Sequence, residues 1–242
     1  MRAILTVYRR ELKAYFDTPI AAIFIAIVVG LLSYFLFKGS LFFANERAEM
    51  RIFFQQMPLV LMVFAPVITM RLWADELRVG TAEILGSLPM RTRSVVLGKY
   101  LAALTVLGAA LVCTLGVPIA IGQLGSPDWG PIIGGYLGSF LLGGFFIALG
   151  CWASSLSENQ VISMLIGVFV GVVFTFILGP TLAGIVSGES ATLARWIEGL
   201  SVLSHFGSIE RGVLAMSDVV YFAAGTIFFL ALNVFQVEWK RY

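Results

Sequence analysis

The sequence predicts an all-α polytopic membrane protein, a single domain over residues 1–242 with six transmembrane helices. Three observations carry that prediction. Hydrophobic residues make up 59% of the chain and charged residues only 12%, with mean hydropathy +0.95. Soluble domains carry about 25% charged residues, so this surface cannot be clothed in charge and much of it must face lipid. Six apolar stretches, 19–37, 52–70, 98–124, 129–155, 159–179 and 219–237, are long enough to cross a bilayer, whose ~30 Å hydrocarbon core takes about 20 helical residues. None shows the alternation of a barrel strand. Lipid leaves no backbone group unpaired, so these stretches must be helices.

Residues 1–17 form an amphipathic segment: Ile4, Leu5, Tyr8, Leu12, Tyr15 and Phe16 recur at helical spacing, with Arg2, Arg9, Arg10 and Lys13 opposite. That is the pattern of a helix lying in the interface plane. The first apolar run follows these mixed residues and exceeds the ~7–15-residue core of a signal peptide, so it is expected to remain as a span. Thr18 and Pro19 read as N-cap and first helical residue of that span, turning the chain sharply from along the membrane to across it. In the second span Gln55, Gln56 and Pro58 weaken the start.

Between the second and third spans lies the most charged long stretch of the chain. Residues 74–89 keep helical periodicity: Leu77, Thr81, Ile84, Leu85 and Leu88 share one face, Asp75, Glu76, Arg78 and Glu83 take the rest, and Pro89 stops the helix. Asp75 and Arg78 form an i,i+3 pair worth only a few tenths of a kcal/mol. In the later spans, Gly134/Gly138 and Gly167/Gly171 are spaced for close helix approach. The segment 181–217 is mixed; Trp196, Ile197, Leu200, Leu203 and Phe206 predict short amphipathic helices at the outer interface.

Six spans put both termini on one side. Arg2, Arg9, Arg10, Lys13, Arg71, Arg78, Arg91, Arg93, Lys99, Lys240 and Arg241 fall on that side, against Lys38, Arg47, Arg51, Arg195 and Arg211 on the other. Loops rich in Lys and Arg stay in the cytoplasm, so the termini and the 74–89 segment are expected there.

Several chemistries are excluded. None of Lys13, Lys38, Lys99 and Lys240 stands in a G-x-x-x-x-G-K-[ST] phosphate loop, so the chain has no such nucleotide site. His205 is read as lying in a loop without a carboxylate or second His at ligand spacing, which argues against a metal and against an intramembrane serine protease. Asp128, Glu158 and Asp218 fall at span ends, and ion-coupled transporters normally carry such groups at membrane depth. Cys113 and Cys151 sit in apolar runs as small buried hydrophobes. No basic cluster interleaved with aromatics speaks for nucleic acid. The driving energy is therefore expected from a partner.

The stretch "DELRVGTAEILGSLPMRTRSVVLGKYLA" closely resembles the signature of type-2 ABC exporter permeases: an acidic pair, G-T-x-E-x-L, L-P, a basic residue and G-K. "LSHFGSIERGVLAMSDVVYF" resembles the segment before the last span in the branch associated with bacterial gliding motility. The resemblance implies that 1–17 is the elbow helix and 74–89 the coupling helix that docks on a separate ATPase subunit. It places Glu76, Gly80, Thr81, Glu83, Leu85, Leu88, Pro89 and Arg91 in the coupling positions, and periodicity adds Ile84 to the apolar face. It further implies a non-catalytic permease subunit in a bacterial inner membrane, without a cofactor of its own because ATP is bound by the partner. A second permease copy or a homologue would complete the complex. The cargo is a substrate exported or moved across the membrane. The alternative is a mechanical or assembly device for gliding or envelope components, working with an auxiliary protein that has a large periplasmic domain.

Overall fold

The computed structural model describes residues 2–38, 50–81, 91–124, 128–181, 199–213 and 215–240, and those residues form a helical bundle without strands. Helix α1 (Arg2–Asp17) is followed at Ile20 by α2 (Ile20–Lys38). Between α1 and α2 the chain bends by 73°, so that the two together are one broken apolar unit. Thr18 holds the turn, its Oγ1 donating to the Ala14 carbonyl at 2.9 Å.

The second span starts as a short α3 (Arg51–Gln55), is interrupted at Gln56, and resumes as α4 (Met57–Thr69) with Pro58 in its first turn, where a missing N–H costs nothing. It does not end near residue 70. After a slight break at Met70 it runs on as α5 (Arg71–Val79), and 57–79 is one apolar helical stretch. The single helix predicted over 74–89 is corrected here. Gly80 adopts φ 75°, ψ 2°, the left-handed conformation that caps α5, and glycine takes it without a Cβ penalty. The break at Gly80 separates Leu77 from the helix that resumes at Thr81; Ile84, Leu85 and Leu88 lie, with the rest of 82–90, outside the described residues.

The third span begins six residues earlier than its hydropathy suggests. In α6 (Thr92–Cys113) the polar-looking start is helical because Thr92, Val95 and Val96 are buried against neighbours. A break follows, where the Thr114 hydroxyl bonds the Leu111 carbonyl at 2.7 Å and Tyr136 at 3.0 Å, and α7 (Gly116–Leu124) completes the crossing.

Helix α8 (Trp129–Ser154) is the centre of the bundle, capped by Asp128, whose carboxylate accepts from Gly130 N at 3.1 Å. It packs against α4, α6 and α9 (Gln160–Val172). Glycine makes this possible: a Cβ at Gly150 would stand 2.1 Å from Thr69 Oγ1. Gly167 and Gly171 face Pro66 and Met62 of α4, so the close approach their spacing allows is made within the chain. The predicted plain helix over 159–179 is also adjusted, since Val173–Thr181 is wound as a π-helix.

Of the outer segment, residues 199–213 are described and contain α10 (Val202–Ile209), which buries Val202, Phe206 and Ile209; Trp196 and Ile197 lie outside the described residues. The last span, α11 (Met216–Trp239), also packs on α8. Among the described residues five helical stretches are long and apolar enough to cross a membrane, and six if the bent α1–α2 unit is counted as one.

Candidate functional site

Charge is scarce in this bundle, so the place where four charged side chains converge is informative. Lys99 lies on the face of α6 that also carries Val95, Val96, Ala102, Ala103 and Val106, all buried. Its side chain is 1% exposed. A lysine so placed must find full compensation, and three oxygens supply it. Lys99 Nζ stands 2.6 Å from the Leu72 carbonyl, 2.9 Å from Glu76 Oε1 and 3.1 Å from Glu11 Oε1. The Trp73 ring lies 4.9 Å away as a cation–π partner. Arg10 Nη2 completes the cluster at 2.6 Å from both carboxylates.

The electrostatics follow from that layout. Burial pushes the Glu11 carboxyl up, but the Lys99 charge and the Arg10 contacts outweigh it and hold the group below its ordinary range. Burial lowers the Arg10 guanidinium, and Glu11 and Glu76 more than reverse this.

Helix α1 is fastened along its length to the same end of the bundle. Tyr8 Oη and Thr105 Oγ1 share a hydrogen bond of 3.2 Å, and the buried Tyr15 hydroxyl donates to the Ile68 carbonyl at 2.7 Å. Arg71 lies 4.5 Å over the Tyr15 ring and donates to Thr18 at 3.2 Å. Gly98 lets α1 approach: a Cβ there would stand 2.8 Å from Val7 Cβ and 3.0 Å from the Ile4 carbonyl.

Helix α5 is tied to two further helices. Ser154, at the end of α8, accepts from Trp73 N at 3.0 Å and Ala74 N at 3.3 Å and donates to the Met70 carbonyl at 2.7 Å. Gln160, opening α9, donates to Asp75 at 2.5 Å. The nine residues of α5 therefore grip α1, α6, α8 and α9 at once. Such an element can pass a displacement at its free end to four helices; it offers no nucleophile, base or metal set.

The positions implied by resemblance fall into three groups. Glu76 is turned inward, its side chain 14% exposed and paired with Lys99 and Arg10, so it is not a freely presented docking residue. Gly80 and Arg91 are exposed, flanking the segment as the cap of α5 and the extended N-cap of α6, while Thr81 is half-buried and donates to the Glu76 carbonyl at 3.4 Å. Glu83, Ile84, Leu85, Leu88 and Pro89 lie outside the described residues. Sequence reasoning missed Glu11, Lys99, Ser154 and Gln160. Glu11 carried a signal, being an acid between Tyr8 and Tyr15 on the packed face of α1.

His205 is also corrected. It belongs to α10 rather than a loop, and it has a carboxylate partner: Nδ1 stands 2.7 Å from Asp218 Oδ1, and Nε2 lies 3.1 Å from the Gly199 carbonyl. The ring stacks on Tyr221 at 4.1 Å. Ser208 donates to the other Asp218 oxygen, not to the imidazole, so no nucleophile–base pair forms. The cluster clasps α10 to α11. Among the described residues no three His, Cys, Asp or Glu side chains are grouped to hold a metal. Near this clasp's end of the bundle, a cavity of about 260 Å³ opens beside Phe54, Ile132 and the Arg51–Glu210 pair, whose ions are 3.3 Å apart.

A family model described as "ABC-2 family transporter protein" matches residues 13–232, nearly the whole chain and the junction described above except its members on the first part of α1, among them Tyr8, Arg10 and Glu11. No curated protein matches the chain.

Proposed function

The chain belongs to the ABC-2 transporter family and is a multi-pass membrane permease of an ABC transporter, and from that premise we propose how it is driven. ATP is hydrolysed by a separate ATPase subunit. The segment from Gly80 to Arg91 docks on it, with Ile84, Leu85 and Leu88 as the apolar contact and Thr81, Glu83 and Pro89 shaping the approach. Two copies of this chain, or one and a homologue, assemble with two ATPase subunits. The termini lie in the cytoplasm of a bacterium and the spans in its inner membrane, as the eleven-to-five division of the Lys and Arg residues supports.

One observation carries the reading: α5 leads directly into the docking segment and is bonded to four helices. Moving a two-state transporter from mostly one state to mostly the other takes about 5.5 kcal/mol of differential interaction. An exposed ion pair supplies only about 0.2–1 kcal/mol, so a packed contact must do the coupling. Displacement of the docking segment would tilt α5 and carry the elbow helix, α6, α8 and α9 with it. The cargo is a substrate exported or moved across the membrane. The resemblance of residues 203–222 to the gliding-motility branch supports a second reading, in which the same stroke works on an envelope component through an auxiliary periplasmic protein.

The test is capture of the ATPase encoded with this chain by the purified permease. Leu85→Asp places an unpaired charge in a desolvated contact and should abolish capture, and Gly80→Trp should weaken it sterically. Arg93→Ala, an exposed charge, should change little. Full capture by a correctly inserted Leu85→Asp protein would refute the docking role.

A further inference from the structure

Helix α1 uses only one side against the bundle. Val7 and Tyr15 are buried and Glu11 nearly so. The sequence pattern placed all the large apolar residues on one face and the cations opposite. The structure divides them differently. Leu5 and Phe16 remain 48% and 60% exposed, on the same outward side as the exposed Arg9 and Lys13. At about 100° per residue, positions 5, 9, 13 and 16 fall within one narrow sector, so apolar bulk and positive charge are interleaved.

These cations are unspent. Arg10, next in sequence, holds two carboxylates, whereas Arg9 and Lys13 pair with none among the described residues. At the turn into α2, Arg71 also has no carboxylate within ion-pair distance among them; it donates from Nη1 to Thr18 and lies over the Tyr15 ring, while its buried Nη2 has no hydrogen-bond partner among the described residues. Glu11, two residues from each of Arg9 and Lys13, is taken up by Lys99 and Arg10, and Asp17 is exposed at the end of α1.

The 73° turn brings α1 to the start of a membrane span, the level where phosphates meet acyl chains. An acidic protein surface would match the cations but leave Leu5 and Phe16 in an unsuitable place; a lipid with a net negative headgroup matches both. We infer that the outward face of α1 (Leu5, Arg9, Lys13, Phe16) is a binding surface for anionic phospholipid in the leaflet that holds the elbow. The inference rests on α1 lying in the interface and is independent of any ATPase. Phosphate oxygens accept from Arg9 and Lys13 while Leu5 and Phe16 enter the acyl region. Each basic residue beside an anionic surface contributes roughly five-fold in lipid affinity, and salt weakens it.

The full-length protein, purified without its ATPase, is exchanged into micelles containing equal amounts of phosphatidylglycerol and phosphatidylcholine, and retained lipid is counted by native mass spectrometry. The wild type should retain phosphatidylglycerol preferentially. Arg9→Gln/Lys13→Gln should lose at least about five-fold of that preference, and raised salt should reduce it in the wild type. Arg93→Gln/Arg211→Gln removes the same charge from exposed sites elsewhere and should keep the preference. Equal retention of both lipids by the wild type, an unchanged preference in Arg9→Gln/Lys13→Gln, or an equal loss in Arg93→Gln/Arg211→Gln would overturn the assignment. Since no ATPase enters the test, its failure leaves the docking proposal standing, and the reverse holds too.

Discussion

At the scale of single residues, the protein turns on one lysine. Lys99 is buried, and its charge is tolerated because Glu11, Glu76 and the Leu72 carbonyl surround it. Lys99→Met fits the aliphatic space but leaves two carboxylates facing each other with Arg10 alone between them. Breaking a buried pair on one side costs about 3–5 kcal/mol, so thermal unfolding of the solubilised variant should move well below the wild type. Lys99→Met combined with Glu11→Gln should recover part of the loss, and no recovery would mean that the two do not interact. Acid should act through the same group. Glu11 is held below its ordinary value in the fold, so its stabilisation is complete above the unfolded value of about 4.3 and is lost as pH falls through the lower folded value. Melting temperature should fall more steeply below about pH 4.3 in the wild type than in Glu11→Gln; parallel curves would show that Glu11 is uncoupled. The cluster is not legible as a site, because Arg10 and Glu11, Glu76 and Lys99 come from three helices far apart in the chain. In the sequence Lys99 counts only among the cations expected on the cytoplasmic side, and Glu76 only as a coupling position implied by the resemblance.

At the scale of elements, the presence of helices long and apolar enough to cross a membrane is legible from hydropathy, because apolarity is a property of each segment by itself. Hydropathy failed where packing decides. The start of α6 looks like a loop in composition and is helical because Val95 and Val96 are covered. The predicted helix over 74–89 carried its own contradiction in Gly80, a strong helix terminator when it can adopt a left-handed conformation. Periodicity counted residues on both sides of that glycine as one face. The placing of α1 depends on another glycine. With Val7 Cβ 2.8 Å from where a Gly98 Cβ would lie, Gly98→Val forces α1 away from α6. Overpacking of this kind costs about 1–3 kcal/mol. It should also pull Glu11 off Lys99, so limited proteolysis should cut within α1 at protease levels that leave the wild type intact. Unchanged resistance would show that α1 docks without that close contact.

At the scale of the whole molecule, the all-α polytopic architecture follows from composition, and the family from the motif between the second and third spans together with a match over 13–232. The sequence could not show that α5, which continues the second span, holds the elbow and three other helices. Under the proposed docking of the segment after Gly80, that arrangement acts as a lever. It is tested most directly by a distance within the permease while the ATPase cycles. Spin labels at Arg78→Cys, exposed on α5, and Val220→Cys, exposed on α11, are introduced with the exposed Cys113 replaced by serine, Cys151 being buried. The complex with the ATPase is reconstituted in nanodiscs and measured by pulsed electron resonance, nucleotide-free and trapped with ATP and vanadate. The expected result is a shifted distance distribution in the trapped state that disappears when Leu85→Asp is added. One unchanged distribution in both states, with the ATPase bound and hydrolysing, would contradict it.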